Sequence, residues 1–214
     1  MTNRSVKKKK LTKMSPRNPS QFEEIREKSK EKIIYAAFEL FSTAGYWSTS
    51  ISKIAKQAGI SKGLMYNYFS SKEHLLKAVV GKIVDIIQDI FNVDEQAQPE
   101  EKMRLFLDKL FNHIEKNRSL MRMMIKIGLQ VGHFEFVNKT TTSQYNIMLQ
   151  KLEDNLTELG FENPKDEAVF LGAAIDGIVL QSLLIGEDYP LTEIKKDLLK
   201  RYTTHQKSNK NPTS

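Results

Sequence analysis

The chain has 214 residues, a formal net charge of +7 and no cysteine. This length allows one or two domains with a sizeable core. The absence of cysteine excludes disulfides, thiolate metal sites and cysteine nucleophiles, and it fits a reducing cytosol. Proline and glycine are sparse, and apolar residues recur at helical spacing over long stretches, so we expect an all-α protein.

The basic charge lies at the N-terminal end of the chain. Residues 1–20 contain seven basic and no acidic side chains, and residues 45–72 contain four basic and no acidic ones. Residues 1–20 are too poor in apolar side chains to fold alone, so they are predicted to be a disordered tail. Two interpretations of the tail stay open: an arm that touches DNA phosphates or a minor groove, or a solubilising leader. No apolar segment follows its lysines, so we do not expect a signal peptide.

A first helix is predicted over residues 29–44, ending at Gly45. A possible capping box, Ser20-x-x-Glu23, places its start near Gln21. Tyr46 and Trp47 follow in the connection, where we interpret them as structural side chains. Double-stranded DNA offers no unstacked base for them.

Residues 49–69, TSISKIAKQAGISKGLMYNYF, indicate two short helices around a tight turn. Apolar residues recur at helical spacing before Gly59, and glycine favours the left-handed conformation that ends a helix. Thr49 or Ser50 is a possible cap of the first helix, and Ser61 is a cap of the second. This pattern is typical of a helix-turn-helix, whose second helix can enter a DNA major groove.

The charge around this segment agrees with DNA binding. No acidic residue occurs from Leu40 to Lys72, and Ser70-Ser71-Lys72-Glu73 predicts a capping box at the start of a third helix. Helix N-termini and lysines are the groups that bind phosphate. An ordinary three-helix packing corner with solvated lysines is the alternative.

Residues 33–76, IIYAAFELFSTAGYWSTSISKIAKQAGISKGLMYNYFSSKEHLL, closely resemble the DNA-binding domain of TetR (tetracycline-repressor) family regulators. The matching features are AA..LF...G, T....IA..AGIS.G..Y.YF and SK..LL, in this order and at this spacing. The resemblance implies an N-terminal three-helix DNA-binding domain and a C-terminal helical domain that binds a ligand and forms the dimer. It also implies which residues contact DNA: Lys62, Gly63 and Leu64 at base edges, and Thr49, Tyr66, Asn67, Tyr68 and Lys72 at phosphates.

The chemistry of these residues suits the implied roles. Lysine donates to guanine O6 and N7, leucine touches a thymine methyl, and glycine lets the backbone come close. Tyrosine hydroxyls and a lysine at a helix start bind phosphate oxygens. For Tyr68, packing in the core is an open alternative.

The rest of the chain predicts further helices. One runs from Lys72 to about Asn92 and links the two halves of the protein. After a loop at residues 94–98, Pro99 opens the next helix, and Asn117 is a possible cap of a third. Another helix covers residues 134–159 and ends at Gly160. Asn163 and Pro164 then form the cap and first position of a helix to about Ile185.

That last helix is apolar on most sides, but Asp176 near its centre and its modest length argue against a membrane span. An all-apolar helix is better buried between protein surfaces. With a final helix over residues 192–202, residues 164–185 resemble the pair that forms the family's homodimer interface. We therefore divide the chain into a tail (1–20), a DNA-binding domain (21–76), a ligand-binding and dimerisation domain (77–202) and a C-terminal tail (203–214).

An effector pocket is expected among the C-terminal helices, with a small apolar or aromatic ligand. Adaptable apolar walls and a few polar groups are its expected features. The candidates are Phe106, His113, Met121, Met123, Met124, Gln130, His133, Phe134, Phe136, Gln144, Tyr145 and Asp176. An ordinary methionine-rich core is the alternative for each of them.

An enzyme is not expected, because the common phosphate-binding, zinc-protease and serine-hydrolase motifs are absent from the sequence. The four histidines lack metal-ligand spacing, so neither a metal nor a cofactor is predicted. We predict a cytoplasmic, sequence-specific DNA-binding regulator. Its expected mode is repression, with release from a near-palindromic operator by a small effector. A ligand-independent architectural DNA-binding protein is the alternative.

Overall fold

The computed structural model describes residues 19–203, which fold into nine α-helices and one short 3-10 helix. The helices are α1 (Pro19–Thr43), α2 (Ile51–Gln57), α3 (Lys62–Tyr68), α4 (Lys72–Phe91), α5 (Pro99–Lys116), α6 (Arg118–Val131), α7 (Glu135–Glu158), α8 (Pro164–Ile185) and α9 (Leu191–Thr203). This order confirms the predicted all-α class with an N-terminal helix-turn-helix. The expectations for residues 1–18 and 204–214 lie outside the described residues.

The helix-turn-helix forms where hydroxyl caps and one glycine allow it. Ser50 accepts a hydrogen bond from the backbone N–H of Lys53 and so caps α2. Gly59 adopts φ +71°, the left-handed conformation that ends the helix without a Cβ clash. Ser61 then caps α3 by accepting from the backbone N–H of Leu64.

Several predicted helix caps are wrong, although α4 and α8 begin at Lys72 and Pro164 as predicted. Helix α1 begins at Pro19, whose fixed φ suits a first helical turn, so Ser20 lies inside the helix and is not its cap. Ser71, and not Ser70, caps α4 by accepting from the backbone N–H of His74. Asn117 and Asn163 occupy cap positions, but their side chains make no capping hydrogen bond. The chain enters those two helices without the expected side-chain bond.

Two apolar clusters form the interior. The N-terminal core packs α1 to α4 together and also takes Ile127, Val131 and Val137 from α6 and α7. The C-terminal core joins α5 to α9 around Leu107, Phe111 and other buried side chains. Helix α4 contributes to both, because Leu75 to Val80 lie in the first and Ile90 in the second. The domain boundary at residues 76–77 stays a prediction.

Helix α8 has one buried and one exposed face. Leu171, Ile175 and Ile178 lie in the C-terminal core, whereas Phe170 and Leu184 are exposed. Within the described residues, the stretch Pro164–Asp188 is long and apolar enough to cross a membrane by length and composition alone. Core helices of soluble proteins meet the same criteria, and this helix packs along α7.

The side chain of Lys72 joins the start of α4 to the connection between α1 and α2. Its Nζ donates to the carbonyl oxygens of Thr49 (2.9 Å) and Trp47 (3.5 Å). The same ammonium lies 4.3 Å from the centre of the Tyr46 ring, where a cation is attracted to the π face. Burial lowers the pKa of the Lys72 ammonium from its ordinary value. We call this group of contacts the Lys72 tie.

A second set of contacts joins the same connection to the turn between α6 and α7. The Gln130 side-chain oxygen accepts from the backbone N–H of Tyr46 at 2.9 Å. The Trp47 ring stacks on those of His133 and Phe134, with centroids 5.7 Å away in each case. The α1–α2 connection is therefore held by α4 on one side and by the α6–α7 turn on the other.

We expect Lys72→Met to lower the free energy of unfolding by about 1–2 kcal/mol, because two backbone acceptors lose a charged donor while the apolar stem is kept. Urea denaturation at one fixed protein concentration measures this change. Lys126→Met is the matched control, since Lys126 is exposed on α6. Equal losses in the two variants would show that the tie adds nothing to stability.

Candidate nucleic-acid interface

Helix α3 presents one side to the core and the other to solvent. Met65 is fully buried, and Phe69 just beyond the helix is 1% exposed, so these two side chains anchor it. The outer side consists of exposed residues, among them Leu64 at 40% exposure. The five residues on it are Lys62, Gly63, Leu64, Tyr66 and Asn67. All of them were predicted to meet DNA, and the fold brings them together on one helix face.

This face is positively charged. Lys53 and Lys56 on α2 and Lys62 on α3 are exposed, and no acidic side chain occurs from Leu40 to Lys72. No Cβ-sized obstacle lies within 4 Å of the position that a side chain at Gly63 would occupy. The helix surface is therefore open at Gly63, and another molecule can approach the backbone closely there.

Three of the predicted phosphate contacts are buried or half-buried in the fold. Thr49 is 1% exposed, and its hydroxyl donates to the carbonyl oxygen of Gly45 at 2.7 Å. Lys72 is half-buried in the tie described above, and Tyr68 is half-buried against the N-terminal core. A phosphate contact by the Thr49 side chain is no longer expected, because its hydroxyl is committed inside the fold. For Tyr68, packing is the role that its burial supports.

The predicted pocket residues do not surround a common cavity. His113 is half-buried, Met121 lies in the C-terminal core, and Met124 packs against both cores. Tyr145 and Asp176 are exposed on α7 and α8. Although Asp176 is exposed, nearby protein partly desolvates its carboxyl group and raises its pKa above the ordinary value.

The polar and aromatic candidates near the α6–α7 turn instead contact the N-terminal half of the molecule, helices α1 to α4. We call these four helices and their connections the reading head. Phe134 and Phe136 pack against the N-terminal core. Gln130 and His133 bind the α1–α2 connection as described above, and Met123 also lies against the N-terminal core. These residues were assigned to a pocket by residue type. Because they lie near the end of α6, their neighbour is the N-terminal half of the molecule and not a ligand cavity.

A cleft does occur along the seam between α4 and α7, closed on one side by α5. It encloses about 650 Å³ together with its open mouth at the α4–α5 connection. Its apolar lining there is Phe91, Val93, Met103, Phe106 and Leu152. A second hollow adjoins it, shares Phe91 and Lys151, and is lined by Gln88, Gln144 and Met148 among others. We call both parts together the α4–α7 cleft.

Of the predicted pocket residues, Phe106 and Gln144 line this cleft. Sequence reasoning missed Asn155, whose side-chain oxygen is buried at the cleft and unpaired within residues 19–203. A polar residue on α7 gave no signal of this in the sequence.

In the described part of the chain, no group of three or more His, Asp or Glu side chains is placed to hold a metal ion.

Comparison with known proteins agrees with this arrangement. Residues 33–79 match the family described as bacterial regulatory proteins, tetR family. The chain is 29% identical over 185 residues to the HTH-type transcriptional regulator YxaF of Bacillus subtilis, covering 79% of this chain and 93% of that protein.

Two solved structures show the same fold. A TetR transcriptional regulator from Chloroflexus aurantiacus has a TM-score of 0.70 at 18% identity, covering 86% of this chain and 98% of that one. The regulator FadR from Bacillus subtilis, solved in complex with stearoyl-CoA, has a TM-score of 0.60 at 25% identity, covering 81% and 97%. The matched helix-turn-helix, the related regulators and the shared fold show that this chain belongs to the TetR family of DNA-binding transcriptional regulators.

Proposed function

We propose that this protein is a cytoplasmic homodimeric repressor that leaves a near-palindromic operator when a small effector binds its C-terminal domain. The observation that carries the proposal is the exposed, basic outer face of α3. This face is exposed to solvent, and its side chains have the chemistry to read bases and to bind phosphate. A two-fold dimer would present two such faces to half-sites separated by whole turns of the duplex.

We assign base reading to Lys62, Gly63 and Leu64. They occupy the first turn of α3, the part of a recognition helix that contacts base edges. Tyr66 and Asn67 follow on the same exposed face, where a hydroxyl and an amide are available for phosphate oxygens. With one long donor among the three base-reading positions, part of the specificity is assigned to DNA shape.

Selection of bound duplexes from a random library, at near-physiological salt, tests the proposal directly. We expect recovery of a near-palindrome, because a two-fold dimer reads two inverted half-sites. The full chain should be used, so that the basic N-terminal segment is present. Enrichment of nothing beyond general duplex would contradict sequence-specific regulation and favour an architectural DNA-binding protein.

On the recovered operator, Lys62→Ala should relax base preference at the position it reads, with a loss of discrimination of about 1–3 kcal/mol. Tyr66→Phe should instead weaken binding to all sequences alike, because a phosphate contact carries no sequence information. Competition binding with single-base operator variants separates the two patterns. A sequence-selective loss in Tyr66→Phe, or an unchanged preference profile in Lys62→Ala, would show that the contacts are assigned wrongly.

The homodimer is proposed to form through α8 and α9. Large apolar side chains lie exposed along α8, namely Val169, Phe170, Leu180, Leu184 and Ile185. Exposed apolar side chains gathered on one helix indicate an interaction surface, and a second copy of the chain would cover it symmetrically. Helix α9 is fixed beside α8, since Tyr202 Oη and Arg201 Nη2 donate to Glu167 Oε1 at 2.6 and 2.7 Å.

Leu184, which is 75% exposed, supplies the test of this interface. We expect Leu184→Lys to raise the dimer dissociation constant by about tenfold or more, because it removes one buried leucine per subunit and inserts a charge. Sedimentation equilibrium measures the change. Leu129→Lys is the control, since Leu129 is 83% exposed on α6 and is not part of the proposed interface. A dimer that tolerates Leu184→Lys as well as Leu129→Lys would contradict the assigned interface.

A further inference from the structure

We propose that the α4–α7 cleft is the effector site and that it selects a lipophilic cation with an N–H donor, such as a protonated amine on an aromatic or aliphatic body. The inference rests on the ligand-responsive regulation proposed above. Beyond that regulation, we specify where the effector binds, which atom anchors it and which charge it carries.

The apolar part of the cleft suits a flat or slender hydrophobic body. The rings of Phe91 and Phe106 lie 4.6 Å apart between centroids and are tilted at 33°. Met103 and Leu152 extend the apolar surface around them, and both belong to the C-terminal core. An aromatic group placed here would exchange water contact for ring and methionine contacts, which favours binding.

Asn155 supplies the anchoring atom. Asn155 is a lining residue of the cleft, and its Oδ1 is shielded from solvent and receives no hydrogen bond from any described residue. A buried carbonyl oxygen of this kind is stabilised by a hydrogen-bond donor. The lining therefore calls for a ligand whose polar end donates, as an ammonium group does and a carboxylate does not.

The charges around the cleft favour the same class of ligand. Two lysines line it, and both already have carboxylate partners: Lys102 lies 3.1 Å from Glu158, and Lys151 lies 3.3 Å from Glu95. The lining contains five carboxylates against these two lysines: Asp85, Asp89, Glu95, Asp154 and Glu158. A cationic head is attracted by this excess, and an anionic head is repelled.

This charge distinguishes the cleft from a site for an acyl-CoA. The structurally similar FadR was solved with stearoyl-CoA, a multiply phosphorylated anion. An anion of that kind would need free cations, but the two lysines that line the cleft, Lys102 and Lys151, are paired with carboxylates. The ammonium of Lys109, beside the end of α4, is engaged by two backbone carbonyl oxygens. We therefore expect this chain to differ from that protein in ligand charge.

The position of the cleft explains how a bound ligand could change DNA binding. Helix α4 has 20 residues, which corresponds to about 30 Å, and its last turns form one wall of the cleft. Lys109 of α5 holds this end by donating to the carbonyl oxygens of Asp89 and Asn92 at 3.1 and 2.6 Å. The other end of α4 carries the Lys72 tie. A ligand that prefers a wider separation of α4 and α7 would therefore shift the reading head, in proportion to its preference for that state.

Gln88 marks the contact that such a shift would break. Its Nε2 donates to Gln144 Oε1 at 3.0 Å, directly across the seam between the two helices. This bond joins the facing sides of α4 and α7. Insertion of an apolar body beside it would separate the two amides.

The test uses three probes with the same phenylbutyl body: 4-phenylbutylammonium, 4-phenylbutanol and 4-phenylbutyrate. Calorimetric titration into the full chain at pH 7 should rank the ammonium first and the carboxylate last, with at least about a tenfold difference between them. Equal affinities, or tighter binding of the carboxylate, would overturn the proposed ligand class.

Two variants tie the binding to the cleft. Asn155→Leu keeps the side-chain size and removes the unpaired oxygen, so the protein should stay folded while ammonium affinity falls about tenfold. Asp89→Asn should weaken it by about two- to fivefold. Asp197→Asn, an exposed carboxylate on α9, is the matched control and should change nothing. Unchanged affinity in both cleft variants would place the site elsewhere.

The failure of this inference is separable from that of the proposed function. Operator binding is measured first, by fluorescence anisotropy with the selected duplex. If the protein binds its operator specifically but the ammonium probe neither binds the cleft nor releases the DNA, the inference is wrong and the regulator stands. If no operator is selected, the proposed function itself fails, whatever the probes do.

Discussion

The DNA-reading half of the molecule depends on the ammonium group of Lys72. It is surrounded by the carbonyl oxygens of Trp47 and Thr49 and by the face of the Tyr46 ring. The segment that it holds leads directly into α2, and α2 packs on α3. The orientation of the recognition helix is thus fixed by the first turn of α4 as well as by the apolar core. Because α4 also enters the C-terminal core, one helix sets the relation between the two ends of the protein.

The regular parts of this architecture could be predicted from the sequence. Apolar spacing located the helices, and Gly59 and Ser61 located the turn, because left-handed backbone and N-caps favour few residue types. Where two residues could serve equally, the spacing pattern favoured the wrong one. Ser70 and Ser71 are the example: both carry the needed hydroxyl, and the path of the chain decides which one faces the helix end.

Side-chain direction outside helices was the harder problem. A family resemblance supplies residue types at matched positions, but Thr49 and Lys72 lie at the ends of connections where no periodicity fixes a face. Their polar groups satisfy buried carbonyl oxygens in this fold. Most of the predicted pocket residues lie outside the α4–α7 cleft for a related reason. Their residue types suggested a ligand pocket. Because α6 crosses α1, however, Gln130, His133 and Phe134 contact the reading head. The burial of Asn155 could not be predicted from the sequence, because the residues around it come from three separate helices.

The stacking of Trp47 on His133 and Phe134 has a practical consequence. Trp47 is the single tryptophan of the chain, it is 66% exposed, and it lies where the reading head meets the α6–α7 turn. Its indole emission is therefore an intrinsic optical signal of that contact, uncontaminated by any other indole. Opening of the stack would transfer the ring toward water and shift the spectrum without a label. The molecule thus carries its own reporter for the coupling between its two halves.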